Sequence, residues 1–241
     1  MAKTIRYLIG ITVGIAAVVI LLITAFEAAM YSDFGYYEKE YKKYDVLTDL
    51  DMEMNDVMYV TEEMMAYLRG ERDELSVITT IEGEEQDFFN EQDRFHMGEV
   101  QGLFLGGLKL RLGAFIILGI SLTVLFFMKE ERLKALCRGY QIVLGVLAVM
   151  ITMLGIWVVR DFNAVFTKFH EIFFDNDLWL FDPAEDYMIR MLPEGLFYDF
   201  VIRIGLLFVA GILVLLVLSI AVPRLFIRSN QRDYLINITY E

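Results

Sequence analysis

Four stretches of the chain are almost free of charge, and polar segments, the two long ones acidic, separate them. Residues 7–26 and 140–159 each run 20 positions, with Gln141 the most polar member; residues 204–222 run 19, and 112–128 only 17. A helix needs about 20 residues to cross a hydrocarbon core of roughly 30 Å. The second run is therefore expected to begin earlier, near Gly102, and to carry Lys109 and Arg111 in its outer part, where long basic side chains snorkel. Between the runs the period changes. Val57, Val60, Met64 and Leu68 follow three- and four-residue steps, which predicts an amphipathic helix over 51–69 closed by Gly70. Residues 75–81 read as a short strand, Gly83 as a turn, and Phe88-Phe89 as part of a return strand. A helix is expected from Asp93 into the second run. Asp182-Pro183 has the residue types of a helix start.

Composition sharpens this pattern. The 241 residues are 57% hydrophobic, yet the net charge is −13, from 34 Asp+Glu and 21 Lys+Arg. The basic residues assign sides. Lys3, Arg6, Lys129, Arg132, Lys134, Arg138, Arg224, Arg228 and Arg232 fall at the termini and in the short loop after the second run, which are expected in the cytoplasm. Segments 31–108 and 161–202 carry 20 acids against six bases and nine against two, and are expected outside. The expected class is an all-α membrane protein: a four-transmembrane-helix bundle with a small extracellular α+β segment and an extracellular interfacial segment. Its expected order is span 1–30, acidic segment 31–101, span 102–128, cytoplasmic loop 129–139, span 140–160, aromatic-acidic segment 161–202, span 203–223 and cytoplasmic tail 224–241. The 20-residue first run exceeds a signal-peptide core, so an uncleaved anchor is expected. The acidic balance excludes a basic nucleic-acid binder. A single cysteine, Cys137, excludes a disulfide framework and a multi-cysteine zinc site.

Both histidines, His96 and His170, lie in the segments expected outside. His96 stands six residues before Gly102, and His170 ten residues after Arg160. If both spans continue as helices, the two rings reach a similar level, roughly 9 and 15 Å beyond the span ends. Histidine is the side chain suited to proton transfer near neutrality. No His-x-x-x-His or His-Glu-x-x-His spacing exists, so no metal site is expected. None of Ser32, Ser76, Thr79 or Thr80 sits in a Gly-x-Ser-x-Gly elbow, so a serine nucleophile has no motif. Glu171 or Asp177 could fix the tautomer of one ring. Phe173, Phe174, Trp179 and Leu180 are expected to line a groove open to the outer leaflet, with interfacial anchoring the other role open to Trp179.

Two blocks carry a resemblance. His96-Met97-x-x-Val100-x-x-Leu103-Phe104 precedes the second span. Phe169-His170-x-x-Phe173-Phe174-x-Asn176-Asp177-x-Trp179, continuing as Pro183-x-x-Asp186 and Pro193-Glu194, follows the third. With the four-span layout, these blocks make the chain similar to the lipoprotein intramolecular transacylases (Lit) of Gram-positive bacteria. The resemblance implies an acyltransferase without a cofactor, in the cell membrane, acting on diacylglyceryl-modified lipoproteins among membrane lipid. It implies transfer of the sn-2 acyl chain of the glyceryl group to the free α-amine of the N-terminal cysteine. His96 and His170 would be catalytic. Phe173, Phe174, Asn176, Asp177, Trp179, Arg160 and Arg111 would contact substrate. Two other readings stay open on the residues alone. Lys109, Arg111, Arg160 and Arg203 could ring a phosphate at the outer rim, as in a phospholipid acyltransferase or hydrolase. The acidic segment could instead belong to a non-enzymatic scaffold or sensor.

Overall fold

The structure, a computed structural model, describes residues 2–128 and 131–239, with side chains for 3–128 and 131–225. Lys129 and the side chains of Arg228 and Arg232, counted above among the basic residues that assign sides, lie outside the described residues. In chain order the elements are helices α1 (Ala2–Tyr31), α2 (Gly35–Lys43), α3 (Val46–Leu50) and α4 (Met54–Leu68), strands β1 (Ile78–Ile81) and β2 (Glu84–Asp87), and helices α5 (Glu91–Phe127), α6 (Arg132–Arg160), α7 (Phe162–Phe173), α8 (Tyr187–Met191) and α9 (Glu194–Thr239). The four apolar runs fall in α1, α5, α6 and α9, with Met128 just past the end of α5, and each helix is long and apolar enough to cross a membrane.

The chain divides into two compact units. The apolar unit takes the residues up to Ala25, Leu110–Gly155, and those from Leu206 onward. Large apolar side chains such as Leu112, Ile120, Val146, Met153 and Val217 are exposed, as suits helices whose solvent is lipid. Lipid tails are as apolar as leucine, so the helices must hold together by close approach and internal hydrogen bonds. Both are present. Gly10 and Gly14 of α1 face Ala135, Gly139 and Tyr140 of α6. A β-carbon on Gly10 would stand 2.2 Å from the Ala135 carbonyl oxygen, and one on Gly139 2.2 Å from the Gly10 carbonyl carbon. The Tyr140 hydroxyl donates to the Ile212 carbonyl at 2.8 Å, and Gln141 reaches Ser219 at 3.2 Å.

The polar unit comprises Phe26–Lys109 and Ile156–Gly205 and has a core of its own. In α4, Val57, Val60, Met64 and Leu68 are buried, as their spacing predicts. Against them pack Tyr37 and Tyr41 of α2, Leu50 of α3 and Met191 of α8. The buried Tyr41 hydroxyl is matched by Thr61 at 2.6 Å. The sequence pattern does not announce α2 and α3. Their charged residues, such as Lys39, Lys42 and Asp49, mask short helices that bury only one or two aromatic or aliphatic side chains each.

The strands form an antiparallel hairpin with Ile81 opposite Glu84. The two turn residues, Glu82 and Gly83, have φ of 54° and 81°, the left-handed pair a tight hairpin requires. Phe88 and Phe89 are buried in the core beyond the end of β2, where the Phe88 amide extends the ladder to the Val77 carbonyl at 2.9 Å. Asp87 ties hairpin to helix. It accepts from Ser76 at 2.5 Å, from the Val77 and Phe89 amides at 3.1 Å each, and from Arg94 of α5 at 2.5 Å. Against the burial that raises its pKa, those bonds hold the carboxyl below its ordinary range.

Candidate active site

The start of α5 is fixed by a reciprocal cap. The Asp93 amide donates to Asn90 Oδ1, and the Asn90 amide donates to Asp93 Oδ2, each at 2.9 Å. Burial, with Asp186 nearby, raises the Asp93 carboxyl to about 6. Asn90 Nδ2 also donates to Asp186 at 2.6 Å, which anchors the far end of the 174–186 loop to the same helix start. Gln92, His96 and Glu99 then follow at helical spacing on one face of α5. Gln92 donates to the Leu178 and Leu180 carbonyls at 3.0 and 3.1 Å, and Glu99 accepts from Asn176 at 2.8 Å. The loop is thus fastened across the helix face that carries His96.

His170 reaches the site differently from the sequence expectation. The third span does not run on as one helix. The Asp161 amide closes α6 on the Trp157 carbonyl at 2.9 Å, while the Asp161 side chain accepts from Ala164 at 3.0 Å and starts α7. Aspartate competes with the helix backbone for hydrogen bonds, and here it breaks one helix and caps the next. His170 lies in the last turn of α7, after which Phe174 takes up extended backbone. Asp182 likewise caps only a single turn; its carbonyl accepts from the Glu185 and Asp186 amides, and α8 begins at Tyr187.

The two imidazoles meet. Their centroids are 5.8 Å apart with planes inclined by 27°. His96 is 5% exposed and His170 7%. Trp179 stacks on His170 at 4.7 Å, and Phe166 lies 4.2 Å from the same ring. Phe174 and Phe181 stand edge-on to His96 at 4.8 and 5.5 Å. His170 Nδ1 is 2.7 Å from the Phe166 carbonyl. A carbonyl only accepts, so Nδ1 carries the hydrogen and Nε2 of the neutral ring keeps its lone pair. Among the described residues His96 Nδ1 has no hydrogen-bond partner, and it lies 3.9 Å from Glu99 Oε2.

The aromatic enclosure sets the charge state. Burial, with His170 beside it, pushes the His96 pKa down to about 4. His96 lies on the extension of α5 that precedes the apolar run from Gly102. Burial also lowers His170, against the opposing pull of the Phe166 hydrogen bond. Both rings are neutral at pH 7, two bases side by side in a largely apolar pocket. Among the described residues, no three His, Cys, Asp or Glu side chains converge as a metal would require.

The other sequence-predicted residues divide. Phe174, Asn176 and Trp179 stand with the histidines. Phe173 is 52% exposed and packs on Phe169 at 4.7 Å. The Asp177 side chain is exposed, and its main-chain carbonyl accepts from Leu180. Arg160 is exposed at the end of α6, and Arg111 belongs to the apolar unit. Arg203 lies under the Tyr36 ring at 4.0 Å. Glu171 pairs with Lys168 at 2.9 Å, so the tautomer of His170 is set by a main-chain carbonyl and by neither of the acids considered. Glu99, Phe166 and Phe181 were not singled out in the sequence. Glu99 follows His96 by three residues and Phe166 precedes His170 by four, so helical spacing alone could have found both.

A protein-family model for the lipoprotein intramolecular transacylase Lit matches residues 11–197. No curated protein matches the chain. Solved structures of the membrane integral lipoprotein intramolecular transacylase Lit from Bacillus cereus share the fold. One superposes with a TM-score of 0.73 at 20% identity, covering 95% of this chain and 99% of that one. Another, in which one histidine is replaced by arginine, gives 0.70 at 21% identity and covers 96% of each chain. A third carries alanine in place of a histidine and also scores 0.70 at 21% identity, covering 95% of this chain and 97% of that one.

Proposed function

Because the chain belongs to the lipoprotein intramolecular transacylase (Lit) family of multi-pass membrane acyltransferases, we propose that it moves the sn-2 acyl chain of an S-diacylglyceryl lipoprotein onto the α-amine of its N-terminal cysteine. The product is an N-acyl, S-monoacylglyceryl lipoprotein. The observation that carries this reading is the pair of neutral, aromatic-walled imidazoles 5.8 Å apart.

Proton accounting explains why two bases suit this reaction. An α-amine has a pKa of about 7.7–8.0, so much of it arrives as ammonium. It must lose one proton to become a nucleophile and a second as the C–N amide bond forms. One of these goes to the glyceryl oxygen as its ester C–O bond breaks, and the other is released. In this reading His170 Nε2, free because Nδ1 is tied to Phe166, takes the proton from the attacking nitrogen and returns it to the leaving oxygen. His96 accepts a hydrogen bond from the same nitrogen. Amine and ester sit in one molecule, so proximity supplies much of the rate and no acyl-enzyme is required. Phe174 and Trp179 wall the reacting centre. Keeping water from it favours transfer over hydrolysis.

On the same reading the polar unit lies outside the cell, both termini lie in the cytoplasm, and the site works at the outer leaflet, where mature lipoproteins reside. The basic bias of the termini and of the loop after the second span supports this orientation. A cysteine placed at Gly83 in a Cys137→Ser background should react with an impermeant thiol reagent in intact cells. Labelling only after permeabilisation overturns the orientation. The activity is tested by mass spectrometry of a reporter lipoprotein from cells with and without this chain. An acyl group shifted from glyceryl to amine is expected. Lysophospholipid accumulation would favour a phospholipid enzyme, and unchanged lipids a non-enzymatic role.

A further inference from the structure

The geometry around Glu99 points to a binding site for the ammonium group of the substrate's N-terminal cysteine, formed by Glu99 Oε2 and His96 Nδ1. This inference rests on the transacylase reading and deepens it. Among the described residues Glu99 is held by one oxygen only: Oε1 accepts from Asn176 at 2.8 Å, while Oε2 is buried with no hydrogen-bond partner. Facing it at 3.9 Å is His96 Nδ1, in a ring 5% exposed, likewise without a partner. Two unsatisfied polar atoms of one helix, one turn apart, therefore look toward each other across a gap too long for a direct hydrogen bond.

Such atoms carry a desolvation cost unless a third group completes them. The gap selects that group. A nitrogen at the ordinary charge-assisted distance of about 2.8 Å from both atoms would see them at roughly a right angle, which two N–H bonds of an ammonium span with little bending. The group must donate twice, and positive charge on it strengthens both bonds, the one to the carboxylate most. Among the described residues no lysine or arginine nitrogen is paired with Glu99, and the groups that face it are His96 of the same helix and Asn176 of the loop, with His170 behind His96. The Glu99 side chain as a whole is 29% exposed while Oε2 itself is buried, so the ammonium enters by displacing what covers that oxygen. In the lipoprotein substrate the α-amine is the cation nearest the reacting ester. Binding it here sets the nucleophile beside the two imidazoles, and a carboxylate near His96 also favours any positive charge that passes to that ring. Glu99 would thus be a substrate-binding residue.

The test uses the full-length protein in nanodiscs and two ligands that cannot react, both S-glyceryl-cysteinyl peptides carrying alkyl ethers in place of the acyl esters. One has a free α-amine and the other is N-acetylated. Wild-type protein should bind the free-amine ligand about tenfold more tightly or better, a ratio worth ~1.4 kcal/mol. Glu99→Gln should bring the two affinities together while leaving that of the N-acetyl ligand unchanged, which also reports that the variant is folded. A preference kept in Glu99→Gln, or absent in wild type, overturns the inference. A second measurement needs no variant. The wild-type preference should fade as pH rises through the ligand amine's pKa of about 7.7–8.0, above the range in which either depressed histidine titrates. A preference flat across that range overturns the inference as well. Acyl transfer by wild-type protein on the ester-linked peptide is scored separately. A wild-type protein that transfers but shows no ammonium preference defeats only this inference, and absence of transfer defeats the transacylase reading.

Discussion

The two units of this protein hold their shape by different means. In the apolar unit the buried cluster is small, with Ala25, Phe208 and Ile212 at its centre, and close approach falls to glycines. In the polar unit large side chains such as Tyr37, Phe88, Phe89, Leu50 and Met191 are almost fully buried, and the hydrogen bonds that Asp87 accepts from Arg94 and that Asn90 and Gln92 donate tie its hairpin and loop to one helix. The first kind of packing tolerates many apolar sequences, provided a few positions stay small. The second specifies where individual atoms stand. Paired imidazoles need the second kind, and both belong to that unit.

Substitutions can break this contrast, and the largest effect is expected at the site. His170→Ala or His96→Ala should lower acyl transfer per folded molecule about 10²–10⁴-fold, while the protein still folds in detergent near pH 7. Their losses should not multiply in the double variant, because parts of one catalytic unit fail together. Wild-type turnover by a folded single variant removes that residue from the mechanism. Next in size is the core of the polar unit. Leu50→Ala deletes a fully buried side chain and should cost about 2–5 kcal/mol, read as a lower melting temperature, with activity per folded molecule retained.

In the apolar unit the outcome depends on which glycine of α6 changes. Gly139→Leu meets the backbone of α1 and should destabilise by about 1–3 kcal/mol or force the two helices apart. Gly145→Ala meets nothing within 4 Å and should be neutral or slightly stabilising. Equal responses at the two positions would remove the close-approach account.

The smallest effect is a slope. His96 has a folded pKa near 4, below its unfolded value of about 6.5. As pH falls below 6.5 the unfolded chain gains a proton that the folded chain refuses. Stability contributed by the neutral ring is therefore full above about 6.5 and drains away as pH falls toward 4, by up to roughly 1.4 kcal/mol per pH unit. Asp93, whose carboxyl is raised to about 6, works in the opposite sense, because its folded form takes up a proton first. The measurement is thus the difference between wild type and His96→Gln. The variant should show the shallower loss on acidification, and equal slopes would contradict burial of the neutral ring.

The contrast between units also marks what the sequence made legible. Spans are written in composition, and all four were readable because lipid demands long apolar runs with few exceptions. The α4 helix and the hairpin turn were readable for the same kind of reason: Val57, Val60, Met64 and Leu68 keep one period, and Gly83 supplies a backbone geometry few other residues accept. Helices α2 and α3 were not, because a few buried side chains among many charges make no period. At the site, the two histidines could be named from their chemistry and from their distance to the spans. That Trp179 would stack on His170, or Phe181 stand against His96, depends on how Gln92, Asn90 and Glu99 fasten an irregular loop to α5. The break at Asp161 was visible as a residue but not as a break, since an aspartate inside a helical pattern is as often simply solvated.

The hydrogen bond from His170 to the Phe166 carbonyl has a bearing on evolutionary drift. Its acceptor is main chain, so no particular side chain at position 166 is needed to hold the hydrogen on Nδ1. Any residue that lets α7 stay helical supplies the same oxygen. Phe166 and its neighbours can then change under other pressures. The proton arrangement of His170 would be inherited with the helix alone.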